Sequence, residues 1–159
     1  MTTLRRNGEE NDASVEIRRL QPGDERLLDT VAADVFDEPV DPLRLKSCLA
    51  SPGHLLFVAL DDGQVVAQAA GMIHRHVDKP SELYVDEVGV SPAWQRRGIA
   101  NLLMDALFAA GREAGCAEAW LGTELDNLPA RALYDGRKEP TEPVETFVMY
   151  LYDLGEGSR

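Results

Sequence analysis

A chain of 159 residues, 44% hydrophobic and 28% charged, is the size of one domain and long enough to bury a core. Its net charge of −12 argues against a nucleic-acid partner, since neutralising phosphates needs a basic face, and suits a cationic small molecule as well as mere solubility. No apolar run approaches the roughly 20 residues that cross a bilayer, so no membrane partner is expected.

Residues 1–13 are polar and aperiodic and read as a disordered tail; their two arginines have no apolar core behind them, unlike a secretory signal. A cytoplasmic setting is expected. Ser14 to Leu20 alternates apolar and polar residues, as a first strand does. After Pro22-Gly23, Asp24 is placed to cap a helix running to about Phe36, with Leu27, Leu28, Val31, Ala32 and Val35 at helical spacing. Asp41 and Pro42 start a second helix that continues to about Ala50.

His54 to Leu60 is a nearly continuous apolar run, hence a buried strand, and Asp61-Asp62-Gly63 is a tight hairpin turn into a partner strand from Gln64 to His76. Glu82 to Val90 returns as a third strand of the meander. A turn from Ser91 to Gly98 opens a helix reaching about Ala114, whose apolar stripe runs through Ile99, Leu102, Leu103, Ala106, Leu107 and Ala110. Ala117 to Gly122 is a strand, Asn127 to Tyr134 a short helix, and Val144 to Leu154 a final strand before a short tail, 155–159. The fold class is α/β, in the order β-α-α-β-β-β-α-β-α-β, with a mixed central sheet containing an antiparallel meander, and residues 14–154 form one domain.

The turn Gln95-Arg96-Arg97-Gly98 carries the first chemical signal. A helix N-terminus offers unpaired N–H groups and the positive end of the macrodipole, and Gly98 lets the backbone curl close to a bound group. By composition alone the two arginines suit solvated surface as readily as a pyrophosphate site. Neither Gly-x-x-x-x-Gly-Lys-Ser/Thr nor Gly-x-Gly-x-x-Gly occurs anywhere in the chain.

Val88-Gly-Val-Ser-Pro-Ala-Trp-Gln-Arg-Arg-Gly-Ile-Ala100 resembles the acetyl-CoA signature of the GNAT superfamily of N-acetyltransferases, Gln/Arg-x-x-Gly-x-Gly/Ala after an apolar strand end, with Gln95, Gly98 and Ala100 in its fixed positions. Asn127-x-x-Ala130-x-x-Leu133-Tyr134 is similar to the superfamily's other cofactor-side motif, one helix and one strand downstream. The element order from residue 14 to 154 follows the GNAT fold. Within the superfamily, Glu82 to Ser91 looks most like the aminoglycoside 3-N-acetyltransferases.

The resemblance implies acetyl-CoA as co-substrate and no metal. It places the pantetheine arm along the main chain of Val88, Gly89 and Val90, and the pyrophosphate on Gln95, Arg96, Arg97, Gly98, Ile99 and Ala100. Asn127 and Ala130 would line the pantetheine channel, and Tyr134 would give a proton to the leaving sulfur. Glu87 aligns with an acidic residue that serves as base; Asp86, its neighbour, would face the other side of a regular strand and share the cleft only if the strand bulges. After Tyr134, the polar stretch Asp135 to Pro143 lacks the Gly-Phe pair with which most members start the next strand.

The acceptor is expected among the early helices and their loop, where Asp34, Asp37, Glu38 and Asp41 cluster, with Glu124 and Asp126 closing the strand after Trp120. Asp37, Glu38, Asp41, Asp86, Glu124 and Asp126 are thus candidate substrate-binding residues for a cationic amine, while Asp beside Pro also caps or breaks helices. His74 and His76 face one side of a strand, with no third ligand in view, and read as surface residues. Trp94 and Trp120 read as packing residues, and Cys48 and Cys116 as free thiols without metal-like spacing. The sequence therefore supports transfer of acetyl to an aminoglycoside-like amino sugar or a polyamine, an activity of which antibiotic resistance is one consequence. A protein or peptide amine, or a non-catalytic acyl-CoA sensor, are the rivals. A homodimer is expected only because two-fold assemblies are the commonest.

Overall fold

The chain reverses at Asp62 and Gly63, both with left-handed backbone (φ 48° and 78°), the pair of dihedrals a two-residue type I′ hairpin demands. The structure, a computed structural model, describes residues 14–137, 139 and 142–155. The hairpin joins β2 (His54–Asp61) to β3 (Gln64–His74), and with β1 (Glu16–Arg19), β4 (Glu82–Val90) and β5 (Glu118–Trp120) these form one sheet in the order β1-β2-β3-β4-β5. The first four strands are antiparallel neighbours and β5 runs parallel to β4. This is the mixed sheet with an antiparallel meander that the sequence predicts.

Each face of the sheet buries its own apolar cluster. Leu55, Phe57, Ala67, Ala69, Leu83 and Val85 pack against Ile99, Leu103, Met104, Leu107 and Ala110 of α2 (Ile99–Glu113). The opposite residues, Leu56, Val58 and Leu60, pack with Leu28, Val35 and Leu45, the last from α1 (Pro42–Ala50). Alternation along β2 divides the two clusters, as period-two geometry requires. Asp41 caps α1 by accepting from the Arg44 N–H at 2.8 Å, with Pro42 in the first turn. Asn127 does the same for α3 (Leu128–Asp135), accepting from Ala130 N–H at 3.2 Å.

Two elements differ from expectation. The helix expected from Asp24 to Phe36 is only a 3-10 turn, Glu25–Asp29. Asp24 turns its carboxylate back to the Gln21 N–H (2.9 Å) instead of capping forward. Thr30 and Val31 are β-branched, and their main chain is taken by the sheet: Val65 N–H donates to Thr30 C=O at 2.9 Å and Ala32 N–H to Val65 C=O at 2.8 Å. Helical spacing nonetheless marks buried residues, since Leu28 and Val35 both enter the core.

The strand expected from Val144 to Leu154 has no ladder partner among the described residues, and its apolar side chains are exposed. The sheet ends on β5, whose three residues offer little edge to pair with, and the Phe147 ring lies against Gly122. The expected tail 1–13, and 156–159 of the other, lie outside the described residues.

The segment before α1 crosses β4 closely. A Cβ at Gly89 would lie 2.2 Å from the Val35 carbonyl oxygen, a backbone atom with no freedom to swing away. Gly89→Ala is therefore expected to destabilise the protein by about 1–3 kcal/mol, as overpacked substitutions do. Urea denaturation midpoints of the two proteins check this.

Candidate active site

β4 is the element on which the candidate residues meet. Its pairing with β3 slips between Ala70 and Gly71: Ala70 lies opposite Glu87 while Gly71 lies opposite Val85, leaving Asp86 as an extra residue. This bulge brings both acidic side chains to one surface, the condition set by the sequence, where a regular strand would have separated them. Beyond the bulge Glu87 and Gly89 face the α1 side, opposite Ala70 and Gln68.

On that side lies a cleft of about 390 Å³. Asp37, Glu38, Asp41, Asp86 and Glu87 all line it, with Arg44 as its one lining guanidinium. Glu87 is half-buried, and its pKa is raised by burial first and then by the negative charges of Asp37 and Asp86; a hydrogen bond with Gln68 partly opposes the rise. Gln68 is itself fully buried, its Nε2 donating a long 3.4 Å bond to the Val35 carbonyl and its Oε1 unpaired. Glu124 and Asp126 lie elsewhere, exposed between β5 and α3 and outside the lining of the cleft.

The far edge of β4 opens toward the other candidates. β4 pairs with β5 only from Glu82 to Tyr84, so from Val85 onward the two strands have no ladder between them. Ser91 N–H donates to Val66 C=O at 2.9 Å, on the β3 side. Strand alternation then turns the main-chain groups of Val88 and Val90 toward the opening. Gln95 Nε2 donates to Val90 C=O at 3.1 Å and closes the following turn over this strand end. In that turn Arg96 and Gly98 have left-handed backbones (φ 62° and 77°), and Arg96, Arg97 and Gly98 are exposed. Helix α2 starts at Ile99 with no side-chain cap, and Gly98 has no heavy atom within 4 Å of where a Cβ would stand. An uncapped helix start beside a glycine with free space and two arginines fits a pyrophosphate group.

Tyr134 on α3 packs against the α2-side cluster, and burial raises its hydroxyl pKa. The helix is anchored by Arg137, whose guanidinium donates to Asp105 (2.8 Å) and Asn101 of α2, pairs with Glu139, and stands 4.9 Å from the Phe108 ring centre. Glu87 and Tyr134 therefore lie on opposite faces of the sheet. Asn127 and Ala130 are at the start of the same helix.

Some residues of the cleft are not legible in the sequence. Cys48 of α1 and His54 of β2 sit 3.0 Å apart (Sγ to Nδ1) on its wall, where burial and the Asp86 charge push the thiol pKa up. His54 also lines an adjoining cavity of about 550 Å³ with Met72, Tyr84 and Trp120, the two rings 4.4 Å apart. Trp120, expected to be a packing residue, is 45% exposed and forms that wall, whereas Trp94 donates to Asp61 at 2.7 Å and packs on the core. Only the register of β4 with β5, which sets Trp120 beside Tyr84, reveals the pair.

Residues 17–137 match the acetyltransferase (GNAT) family. The chain is 35% identical over 102 residues to the N-alpha-acetyltransferase RimI of Mycobacterium tuberculosis, a match covering 63% of this chain and 61% of that protein's length. An aminoglycoside acetyltransferase from an uncultured soil metagenomic sample, meta-AAC0020, has the same fold. Its TM-score is 0.75 at 24% identity, over 92% of this chain and 100% of that one. A ribosomal-protein-alanine N-acetyltransferase from Brucella melitensis biovar Abortus 2308 superposes with a TM-score of 0.64 at 18% identity, over 86% and 99% respectively.

The raised pKa of Glu87 has a consequence for stability. Below the ordinary carboxylate pKa both folded and unfolded chains hold the proton and nothing is lost. As pH rises through the higher folded value, ionising Glu87 in the cleft costs more than in the unfolded chain, so stability falls. Glu87→Gln is expected to be more stable than the parent at about pH 8, with the gain vanishing at about pH 4. Denaturation at the two pH values checks the sign.

Proposed function

We propose that this chain, which belongs to the acetyltransferase (GNAT) family, is an N-acetyltransferase that moves an acetyl group from acetyl-CoA directly to a primary amine of a cationic small molecule, an aminoglycoside-like amino sugar or a polyamine. The observation that carries this reading is the cleft on the α1 side of β4, lined by five carboxylates against one guanidinium. Such a surface attracts and orients ammonium groups and repels anionic acceptors. The aromatic wall of Tyr84 and Trp120 continues the cleft with apolar surface on which a sugar ring can lie.

The co-substrate enters from the other side of β4. The turn from Gln95 to Ala100 holds the pyrophosphate, and the outward main-chain groups of Val88 and Val90 pair with the pantetheine arm as an added strand does. Asn127 and Ala130 line the channel, though the Asn127 carbonyl is already engaged in capping α3.

The amine arrives as an ammonium, and Glu87 accepts its proton, directly or through water. A carboxylate with a raised pKa holds that proton better than an ordinary one. The freed nitrogen pair attacks the thioester carbonyl and forms the C–N bond, and an outward N–H of β4 stabilises the oxyanion. Collapse breaks the C–S bond as Tyr134 gives its hydroxyl proton to the departing sulfur, and the proton that the new amide nitrogen sheds returns to Tyr134 through water, leaving only the proton on Glu87 to pass to solvent. Asp37, Glu38, Asp41 and Asp86 hold the remaining ammonium groups of the acceptor.

A protein or peptide amine is the second reading, favoured by the 35% identity to RimI. Release of free thiol from acetyl-CoA, measured with aminoglycosides, polyamines, amino acids and short peptides, separates the two. Turnover with multiply charged small amines supports the proposal. Turnover with peptides alone moves the acceptor to proteins, and tight acetyl-CoA binding without turnover on any amine points to a sensor. Tyr134→Phe is expected to slow turnover on the order of a hundredfold with little change in acetyl-CoA affinity, read by steady-state kinetics and calorimetry. Unchanged turnover removes Tyr134 from the leaving-group step.

A further inference from the structure

At the end of the sheet, where His74 forms part of the wall of the cavity adjoining the acceptor cleft, β3 and β4 bring together three side chains to which no step of the transfer is assigned. His74 closes β3 and lies directly opposite Glu82, the first residue of β4, so both project from the same face. His76 follows His74 by two residues, and the two imidazole rings are 4.2 Å apart between centres. One donor atom from each of His74, His76 and Glu82 lies within 4.8 Å of both others. The His76 Nε2 to Glu82 Oε2 separation is 3.1 Å. Donors about 2.0–2.2 Å from a shared tetrahedral ion are about 3.3–3.6 Å apart. One pair is already near that spacing, and an exposed histidine side chain needs only a small rotation to complete the set.

Two further features favour an ion over a simple ion pair. His76 Nε2 is buried, and among the described residues its one close polar neighbour is Glu82 Oε2 at 3.1 Å, outside the geometry of a directed hydrogen bond. Lys79 Nζ holds Glu82 Oε1 at 2.8 Å, which fixes the carboxylate and leaves Oε2 toward the imidazoles, as an outer-shell partner orients a metal ligand. We infer that His74, His76 and Glu82 form a binding site for a divalent transition ion of the zinc class. Two imidazoles and one carboxylate are a borderline donor set that suits this class over calcium or magnesium, which prefer oxygen. The exposed side of His74 leaves a coordination position open to water. The ion would clip the end of β3 to the start of β4, where β4 also holds β5 through the Glu82–Glu118 pairing. The inference does not depend on the acceptor's identity. A sequence reading sees only the two histidines, because the third ligand comes from across the strand pair.

The test is calorimetric titration of untagged, chelator-treated protein with zinc sulfate, followed by cobalt(II) substitution and its visible absorption. One ion per chain is expected, with tetrahedral cobalt bands and a raised melting temperature in zinc. His74→Ala and His76→Ala should each lose stoichiometric binding, and Glu82→Gln should weaken it. His74 is exposed, so its replacement keeps the fold, as far-ultraviolet circular dichroism would verify. The chain has three histidines, and His54, paired with Cys48, is the control: His54→Ala should bind zinc as the parent does. No binding by the parent overturns the inference, as does unchanged binding in His74→Ala, or loss of binding in His54→Ala alone.

Discussion

β4 is held along its whole length by β3 and for only three residues by β5, and the working parts of the molecule depend on that unequal hold. Where β5 lets go, main-chain N–H and C=O groups are left without a strand. A backbone so exposed is satisfied by water or by something that pairs as a strand would. The bulge at Asp86 acts on the same strand in the perpendicular direction, adding a second carboxylate to the face that a flat ladder would have shown once. One edge of β4 thus serves hydrogen bonding and one face serves charge, with Glu87 where they meet.

The face is kept in place by tight contact around Gly89. The Val35 carbonyl approaches where a side chain would begin, and it takes its weak hydrogen bond from Gln68, on the neighbouring strand. Gln68 also reaches Glu87. The crossing segment, Glu87 and a buried amide therefore sit together with no short hydrogen bond between them among the described residues. Such a set tolerates a change of charge on Glu87 better than a rigid ion pair, whose partner would be left uncompensated.

Much of this was legible in the residues. Asp61-Asp62-Gly63, the caps Asp41 and Asn127, and the stripe of α2 each have a local cause, and each stands where that cause predicts. The turn at Gln95–Gly98 belongs to this group as well, since it needs only a glycine and a helix start. What escaped was decided by distant partners. Thr30 to Ala32 gave up a helix to pair with Val65, and Val144 to Leu154 has the pattern of a strand without an edge to join. The bulge could be named as a condition but not located, because period-two patterning says nothing of one inserted residue. Glu124 and Asp126 were grouped with the cleft by sequence order, while the separation of β5 from β4 leaves them apart from it.

The unpaired segment from Val144 to Leu154 bears on how the protein behaves in bulk solution. Val144, Phe147, Val148, Met149, Tyr150, Leu151, Tyr152 and Leu154 are 63–95% exposed. Against their attraction stands the repulsion between copies of a chain carrying −12 charges. The two forces respond differently to electrolyte: charge repulsion fades beyond a Debye length of about 8 Å at physiological ionic strength and about 3 Å at 1 M. Apolar attraction is undiminished by simple salt and strengthened by sulfate or phosphate. Rising salt is consequently expected to favour contact between copies through the same stretch of chain that the sheet left unpaired.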